Sequence, residues 1–234
     1  MRTSQTNRLN PETVVNGEAN NIQDLFSCNY LIPDYQRDYV WKTKTIEQLV
    51  GDLIHHYERI TSNENFKQQG LSGYFLGAMV VIPKDKVVQE VVDGQQRLTT
   101  LTLIAAALYD LLKRLVPDSN DKKYGYMQLL QGITAIFPSG KASARIAFSD
   151  DLFNEFYAGI VATPRNRREK TKFVSQHLYR ARLKNKNSSF YIASSGLWAI
   201  YKRIYSFLRG VQGVDRRAKK VSRLITLSSY FLNL

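Results

Sequence analysis

The chain has one cysteine, Cys28, in 234 residues, so no disulfide can form within it. That suits a reducing cytosol, where thiols stay free. Only 6 prolines and 13 glycines are present, which excludes collagen-like and low-complexity chains. The start, Met1-Arg2-Thr3-Ser4-Gln5-Thr6-Asn7, lacks the apolar stretch of a secretory signal. No predominantly apolar run reaches the roughly 18 residues that a spanning helix needs. The nearest runs, Leu71–Pro83 and Leu98–Tyr109, read as core elements. These absences together predict a soluble, cytoplasmic protein.

Familiar catalytic signatures are missing too. Ser139-Gly140-Lys141-Ala142 lacks the first glycine and the final hydroxyl of a P-loop. The three histidines, His55, His56 and His177, have no zinc spacing with each other or with Cys28. His55 and His56 are adjacent on a helix, about 100° apart, and read as surface and boundary residues. No Glu-x-Lys occurs, which argues against a nuclease built on that carboxylate–lysine core.

What the chain does have is localised charge. Its net charge is +13, from 33 Lys+Arg against 20 Asp+Glu. Residues 163–223 hold 17 of those bases and two acids, Glu169 and Asp215, whereas the remainder holds 16 bases and 18 acids. A basic segment of this density suits the phosphate backbone of a nucleic acid, and Arg165, Arg167, Arg168, Lys170 and Lys172 are its candidate DNA contacts. A solvated helical face is the other reading. The aromatics interleaved there, Phe173, Tyr179, Phe190, Tyr191, Trp198, Tyr201 and Tyr205, mostly fall at core-facing spacing.

Hydrophobic periodicity predicts an α+β chain. Residues 1–20 read as a polar arm or peripheral strand. Ile46, Leu49, Val50, Leu53, Ile54, Tyr57 and Ile60 form a 3.6-residue stripe on a helix opened by Thr43 or Thr45, and Thr45-x-x-Gln48 resembles a capping box. Tyr74–Ile82 and Lys86–Val92 read as a hairpin across Pro83-Lys84-Asp85. A helix follows from about Gln96 to Leu115. Past Pro117 the chain reads as mostly helical: near 121–133, after Ser149 as N-cap to about Ile160, and from about Ser189 to Gly210. A loop at Pro138-Ser139-Gly140 and a short strand Arg145–Phe148 lie between. Residues 163–188 read as a basic polar stretch, and 215–234 as a helix whose end could equally be a strand. Leu224–Leu234 carries no charge, so this end needs something to pack against. It is either a docked natural terminus or a cut inside a longer protein.

Two clusters could carry chemistry. In Val91-Val92-Asp93-Gly94-Gln95-Gln96-Arg97-Leu98-Thr99-Thr100-Leu101 a strand turns directly into a helix, whose free N–H groups and dipole favour an anion. Gly94 permits close backbone approach, and Arg97 offers a fork for phosphate oxygens. Asp93 could hold Mg²⁺ or orient water, and Gln95 and Gln96 could position it. A plain strand–turn–helix junction is the alternative. The second cluster, Ile32-Pro33-Asp34-Tyr35-Gln36-Arg37-Asp38-Tyr39-Val40-Trp41, suits stacking on a base or sugar. Equally, Tyr39 and Trp41 could anchor the loop to the core.

The two clusters, in this order and with Tyr74-Phe75-Leu76-Gly77 between them, resemble the N-terminal domain of the GmrSD type IV restriction family. Ser149-Asp150-Asp151-x-Phe153 resembles a later, weaker block, so the likeness spans roughly residues 20–230. The resemblance implies a small mixed sheet of ParB/sulfiredoxin-like type, as a nucleotide-binding core over 1–116, followed by a helical basic region over 117–234. It implies a nucleotide site with Asp93, Gln95, Gln96 and Arg97 in catalytic roles. Gly94, Thr99 and Thr100, with Tyr35, Gln36 and Arg37 on the facing wall, would contact the nucleotide. The implied cofactor is a nucleoside triphosphate with Mg²⁺, held at Asp93. The implied role is an NTP-hydrolysing sensor in anti-phage defence, acting on base-modified or phosphorothioated DNA. A partner nuclease domain or subunit of HNH type would do the cutting. The family's following block, F-x-x-x-N-x-R-G-x-x-L, is not in this sequence, so the chain reads as the front part of a longer protein. A non-catalytic module recognising modified DNA, or a scaffold for a partner nuclease, is the rival reading.

Overall fold

The computed structural model describes residues 17–62, 74–115, 134–136, 142–161, 167–185, 187, 189–211 and 217–234. Residues 1–16 of the polar arm expected over 1–20, the helix expected near 121–133 and the loop at 138–140 lie outside them.

A four-stranded mixed sheet positions everything else. It comprises β1 (Asn29–Ile32), β2 (Val80–Pro83), β3 (Val88–Asp93) and β6 (Ile146–Phe148), in the order β2-β3-β1-β6. β1 runs parallel to both β3 and β6, with Tyr30 opposite Gln89 on one side and Ile146 on the other. β2 pairs antiparallel with β3, as the hairpin signal predicts. β2 is shorter than the apolar run suggests, because Gly77 takes φ +96 and the chain ahead of Val80 is not strand. β4 (Thr134–Ile136) and β5 (Ala142–Ala144) form a separate antiparallel pair. Neither β1 nor this pair is legible in the sequence as strand.

Helices cover the sheet. α1 (Ile22–Leu25) is a single turn, capped by the Asn21 side chain, which accepts from the Asp24 amide at 2.8 Å. α2 (Thr43–Ser62) buries Ile46, Val50, Leu53, Ile54, Tyr57 and Ile60, as its stripe requires; each such aliphatic side chain contributes about 1.5–3 kcal/mol. It starts at Thr43, so Thr45 sits inside the first turn and not at the cap. α3 (Gln95–Leu115) is buried on nearly every side, Leu103, Ala105, Ala106 and Ala107 completely.

α4 (Asp151–Val161) is capped by Asp150, whose Oδ1 accepts from the Phe153 amide at 2.7 Å. Ser149, expected as the cap, instead donates its hydroxyl to the Ile32 carbonyl at 2.9 Å and ties β6 to the end of β1. The basic stretch over 163–188 contains a regular helix, α5 (Arg167–Asn185). α6 (Ser189–Val211) packs against α2, α3 and α5, and α7 (Arg217–Leu232) remains helical to its end. One hydrophobic cluster runs from Ile22 and Tyr30 through Leu108 and Tyr201 to Phe231. Among the described residues, no helix is long and apolar enough to cross a membrane.

Candidate functional site

Three parallel strands, β1, β3 and β6, end on the same side of the sheet. In open α/β sheets the crevice beyond the carboxyl ends of such strands is where ligands bind, because loops diverge there and helix N-termini converge. Here β1 continues into the loop over 33–42, β3 into α3 through Gly94, and β6 into α4 through Ser149 and Asp150. Between them lies a cleft of about 160 Å³. Gln36, Arg37 and Asp38 of the loop, Gln95 at the start of α3 and Asp150 before α4 all line it. Phe148 and Phe153 form part of the wall, edge to face at 4.8 Å between ring centres.

The five residues from Asp93 to Arg97 divide into four roles. Gly94 has φ +96, and an added Cβ would lie 2.7 Å from Met79 Cγ, so both backbone and space require glycine there. Its carbonyl accepts the first intrahelical bond, from Leu98 at 2.9 Å. Gln95 lines the cleft. Gln96 turns inward and is engaged at both ends of its amide. Its Oε1 accepts from the Val40 and Trp41 amides at 2.9 and 3.3 Å, and its Nε2 donates to the Asp38 carbonyl at 3.1 Å. It therefore holds the 38–41 loop in place and does not face the cleft.

Arg97 emerges on another side of the turn. Its Nη1 donates to the Leu76 carbonyl at 3.1 Å, and its Nη2 lies 3.6 Å from Asp93 Oδ2. The guanidinium occupies the space where a Gly77 side chain would begin, 1.8 Å from an ideal Cβ. Asp93 is well exposed and forms this ion pair at the tip of β3. Neither Asp93 nor Arg97 lines the cleft.

Thr99 and Thr100, expected at a nucleotide, are completely buried in α3. Thr100 Oγ1 donates to the Gln96 carbonyl at 2.7 Å and shares a 2.8 Å bond with the Tyr39 hydroxyl. Tyr39 thus anchors the loop, and burial raises its pKa. Of the residues expected on the facing wall, Gln36 and Arg37 line the cleft; Gln36 also donates to the Val92 carbonyl at 2.6 Å. Tyr35 does not line it. It is exposed, and its hydroxyl donates to Glu90 Oε1 at 2.6 Å, a bond that raises the tyrosine's pKa.

Among the described residues, no group of three or more His, Cys, Asp or Glu side chains is placed to hold a metal ion. Asp93, the candidate Mg²⁺ ligand, is exposed and paired with Arg97. The described residues do not make a metal site by themselves.

Of the DNA candidates, Arg165 lies outside the described residues, and Arg167 and Arg168 belong to the first turn of α5. Lys172 is exposed. Lys170 is not a surface contact: it is buried, with Nζ 2.9 and 2.8 Å from the two carboxylate oxygens of Asp110 in α3. A cation turned into the core cannot reach a phosphate.

Sequence reasoning misses several cleft residues. Ser149, Asp150 and Phe153 carry a signal, the block that reads as a helix start. Ala193, one turn into α6, carries none, since only the fold brings it to the ends of β1 and β6. Against known proteins, the family model described as "GmrSD restriction endonuclease, N-terminal domain" matches residues 14–231. No curated protein matches the chain.

Proposed function

The chain belongs to the family of GmrSD restriction endonuclease N-terminal domains, and from that premise we propose that it is the nucleotide-binding sensor part of a DNA restriction system. The observation that carries this reading is the cleft itself. Arg37 and Gln36 meet Gln95 there, at the N-terminus of one long helix and beside that of α4. Backbone N–H groups at such termini and a guanidinium fork suit phosphate oxygens. A volume of about 160 Å³ takes part of a nucleotide and leaves the rest in solvent.

Hydrolysis of a nucleoside triphosphate is the finer proposal. Gln95 is the residue at the cleft able to orient a water, while Gln96 fixes the loop that carries Arg37. Asp93 and Arg97 shape the turn from outside the cleft. Any Mg²⁺ would arrive with the triphosphate, which commonly supplies much of its coordination. A partner nuclease, acting on modified DNA, would supply cleavage.

One observation favours a second reading. Asp34, Asp38 and Asp150 also line the cleft, against a single guanidinium, and Ile32, Pro33, Phe148 and Phe153 give it apolar walls. Such a lining suits a modified base better than a polyphosphate. Titration of the four nucleoside triphosphates, with Mg²⁺, against wild type, Arg37→Ala, Gln95→Ala and Arg97→Ala separates the two. The sensor reading expects at least about a tenfold loss for Arg37→Ala and a smaller one for Arg97→Ala, since removing a charge-assisted bond costs about 1.5–3 kcal/mol. Equal affinity in all four proteins would remove the nucleotide from this cleft. Competition by modified duplexes alone would favour the base-recognition reading.

A further inference from the structure

We propose that the outward face of α5 is a docking surface for the phosphate backbone of duplex DNA. The inference rests on the chain's place in a DNA restriction system, and it replaces the sequence-based choice of contacts with one made by the fold. α5 buries Lys170, Val174 and Ala181 and turns Lys172, Tyr179, Arg180, Arg182, Leu183 and Lys184 to solvent. The helix carries one acid, Glu169, in its first turn. Its exposed side carries Lys172 near one end and Arg180, Arg182 and Lys184 near the other, four cations against the single exposed acid Glu169.

Two apolar side chains sit within that basic face. Tyr179 is 64% and Leu183 70% exposed, and they stand four residues apart, one turn above the other. A large protein interface needs a wider apolar centre than one such pair. A convex helix with a ring amid cations instead matches a polyanion, with Lys/Arg on phosphates and tyrosine against sugar or base.

The placement also relates this face to the cleft. α5 ends at Asn185, α6 begins at Ser189, and Ala193 in the second turn of α6 lines the cleft. α4, which packs on α5, contributes Phe153 to the same cleft. DNA lying along α5 would meet the helices that wall the candidate nucleotide site.

The test is the salt dependence of binding to a labelled duplex, from about 50 to about 200 mM salt, without nucleotide. For a variant with Lys172, Arg180, Arg182 and Lys184 all changed to Gln, the log–log slope should shrink by about two to four units, at about 0.9 for each phosphate no longer neutralised. Affinity at the low-salt end should drop at least tenfold, by the same counterion argument. A control with Lys42, Lys84, Lys86 and Arg114 changed to Gln removes equal charge elsewhere and should keep its slope within about one unit. Equal loss in both variants, or none in the first, overturns the proposal. If the α5 variant does not fold, acetylation of Lys172 and Lys184 in wild type with and without duplex decides. Protection supports the surface, and unchanged reactivity overturns it. The nucleotide titration of Arg37→Ala is independent of this slope, so either reading can fail while the other stands.

Discussion

Lys170 on α5 and Asp110 on α3 form an ion pair in the interior, with both side chains almost fully buried and the Tyr201 hydroxyl of α6 donating to the same carboxylate. The pair joins three helices, one of which begins at the Gly94 turn. Burial raises the Asp110 pKa, against the pull of the Lys170 charge and of the bonds from Lys170 and Tyr201. Removing one partner strands the other, which typically costs about 3–5 kcal/mol.

The two single variants should differ with pH. In Lys170→Met, Asp110 loses its cation, so its folded pKa rises further above the unfolded value. A carboxyl of that kind contributes its stability below the unfolded pKa and loses it as pH rises through the folded one. The Lys170→Met deficit should therefore be small near pH 4 and grow toward neutrality. Asp110→Asn leaves an ammonium, which cannot be neutralised in acid, and its deficit should persist there. Urea unfolding of both variants across this range checks the contrast; parallel pH profiles would show that the two groups are not coupled.

Gly77 and Arg97 make a second linked pair. Gly77→Ala places a Cβ at φ +96 and into the guanidinium, which must swing away and give up the Leu76 carbonyl. We expect a loss of about 1–3 kcal/mol, combining the left-handed backbone penalty with the broken hydrogen bond. The double variant Gly77→Ala, Arg97→Ala should be less destabilised than the sum of the singles, by about 0.5 kcal/mol or more. Strict additivity in thermal or urea unfolding would mean that the glycine is needed only for its backbone.

How far the sequence discloses this fold depends on how locally each element is determined. The stripe on α2 and the hairpin before Asp93 depend on residues a few positions apart, so they are legible. α3 is less so: its periodicity marks one face as core, but α4, α6 and α7 pack around it, and Leu103 and the alanines at 105–107 are equally buried. β1 has only four residues, and its two parallel partners lie far along the chain, so nothing nearby marks it. Lys170 is hidden by its neighbours, because a lysine among arginines gives no sign of an aspartate 60 positions earlier. The turn at Asp93–Arg97 is readable as a site candidate. The separation of Gln95, Gln96 and Arg97 into three directions is a property of the helix start and of the loop docked on it.

Gln96 is the latch of that loop. Gln96→Glu keeps the size but replaces the donor facing the Asp38 carbonyl with an acceptor, and places a charge in a buried position. A cost of about 1–3 kcal/mol is expected from the unsatisfied groups. The Val40 and Trp41 amides should exchange hydrogen faster in Gln96→Ala, where their acceptor is gone. Arg37, on the same loop, should lose any ligand affinity in parallel. Unchanged protection at Val40 and Trp41 would mean that Tyr39 and its bond to Thr100 hold the loop unaided.

The last prediction concerns acid sensitivity. His56 is buried on α2, with its Nδ1 2.6 Å from the Tyr230 hydroxyl of α7 and its ring against Tyr74. Burial, and then the charge of Arg59, lowers its pKa. Tyr230 is itself shifted upward by burial, so it stays protonated and can donate to a neutral imidazole. A histidine with a depressed folded pKa binds more protons when unfolded. Stability should therefore be full above the unfolded value, about 6.5, and fall as pH drops below it toward the folded pKa. His56→Gln has no titrating group there and should lose less stability between about pH 7 and about pH 5, whatever its starting level. Matching losses in the two proteins would assign the acid response to other groups and leave the α2–α7 contact insensitive to protonation.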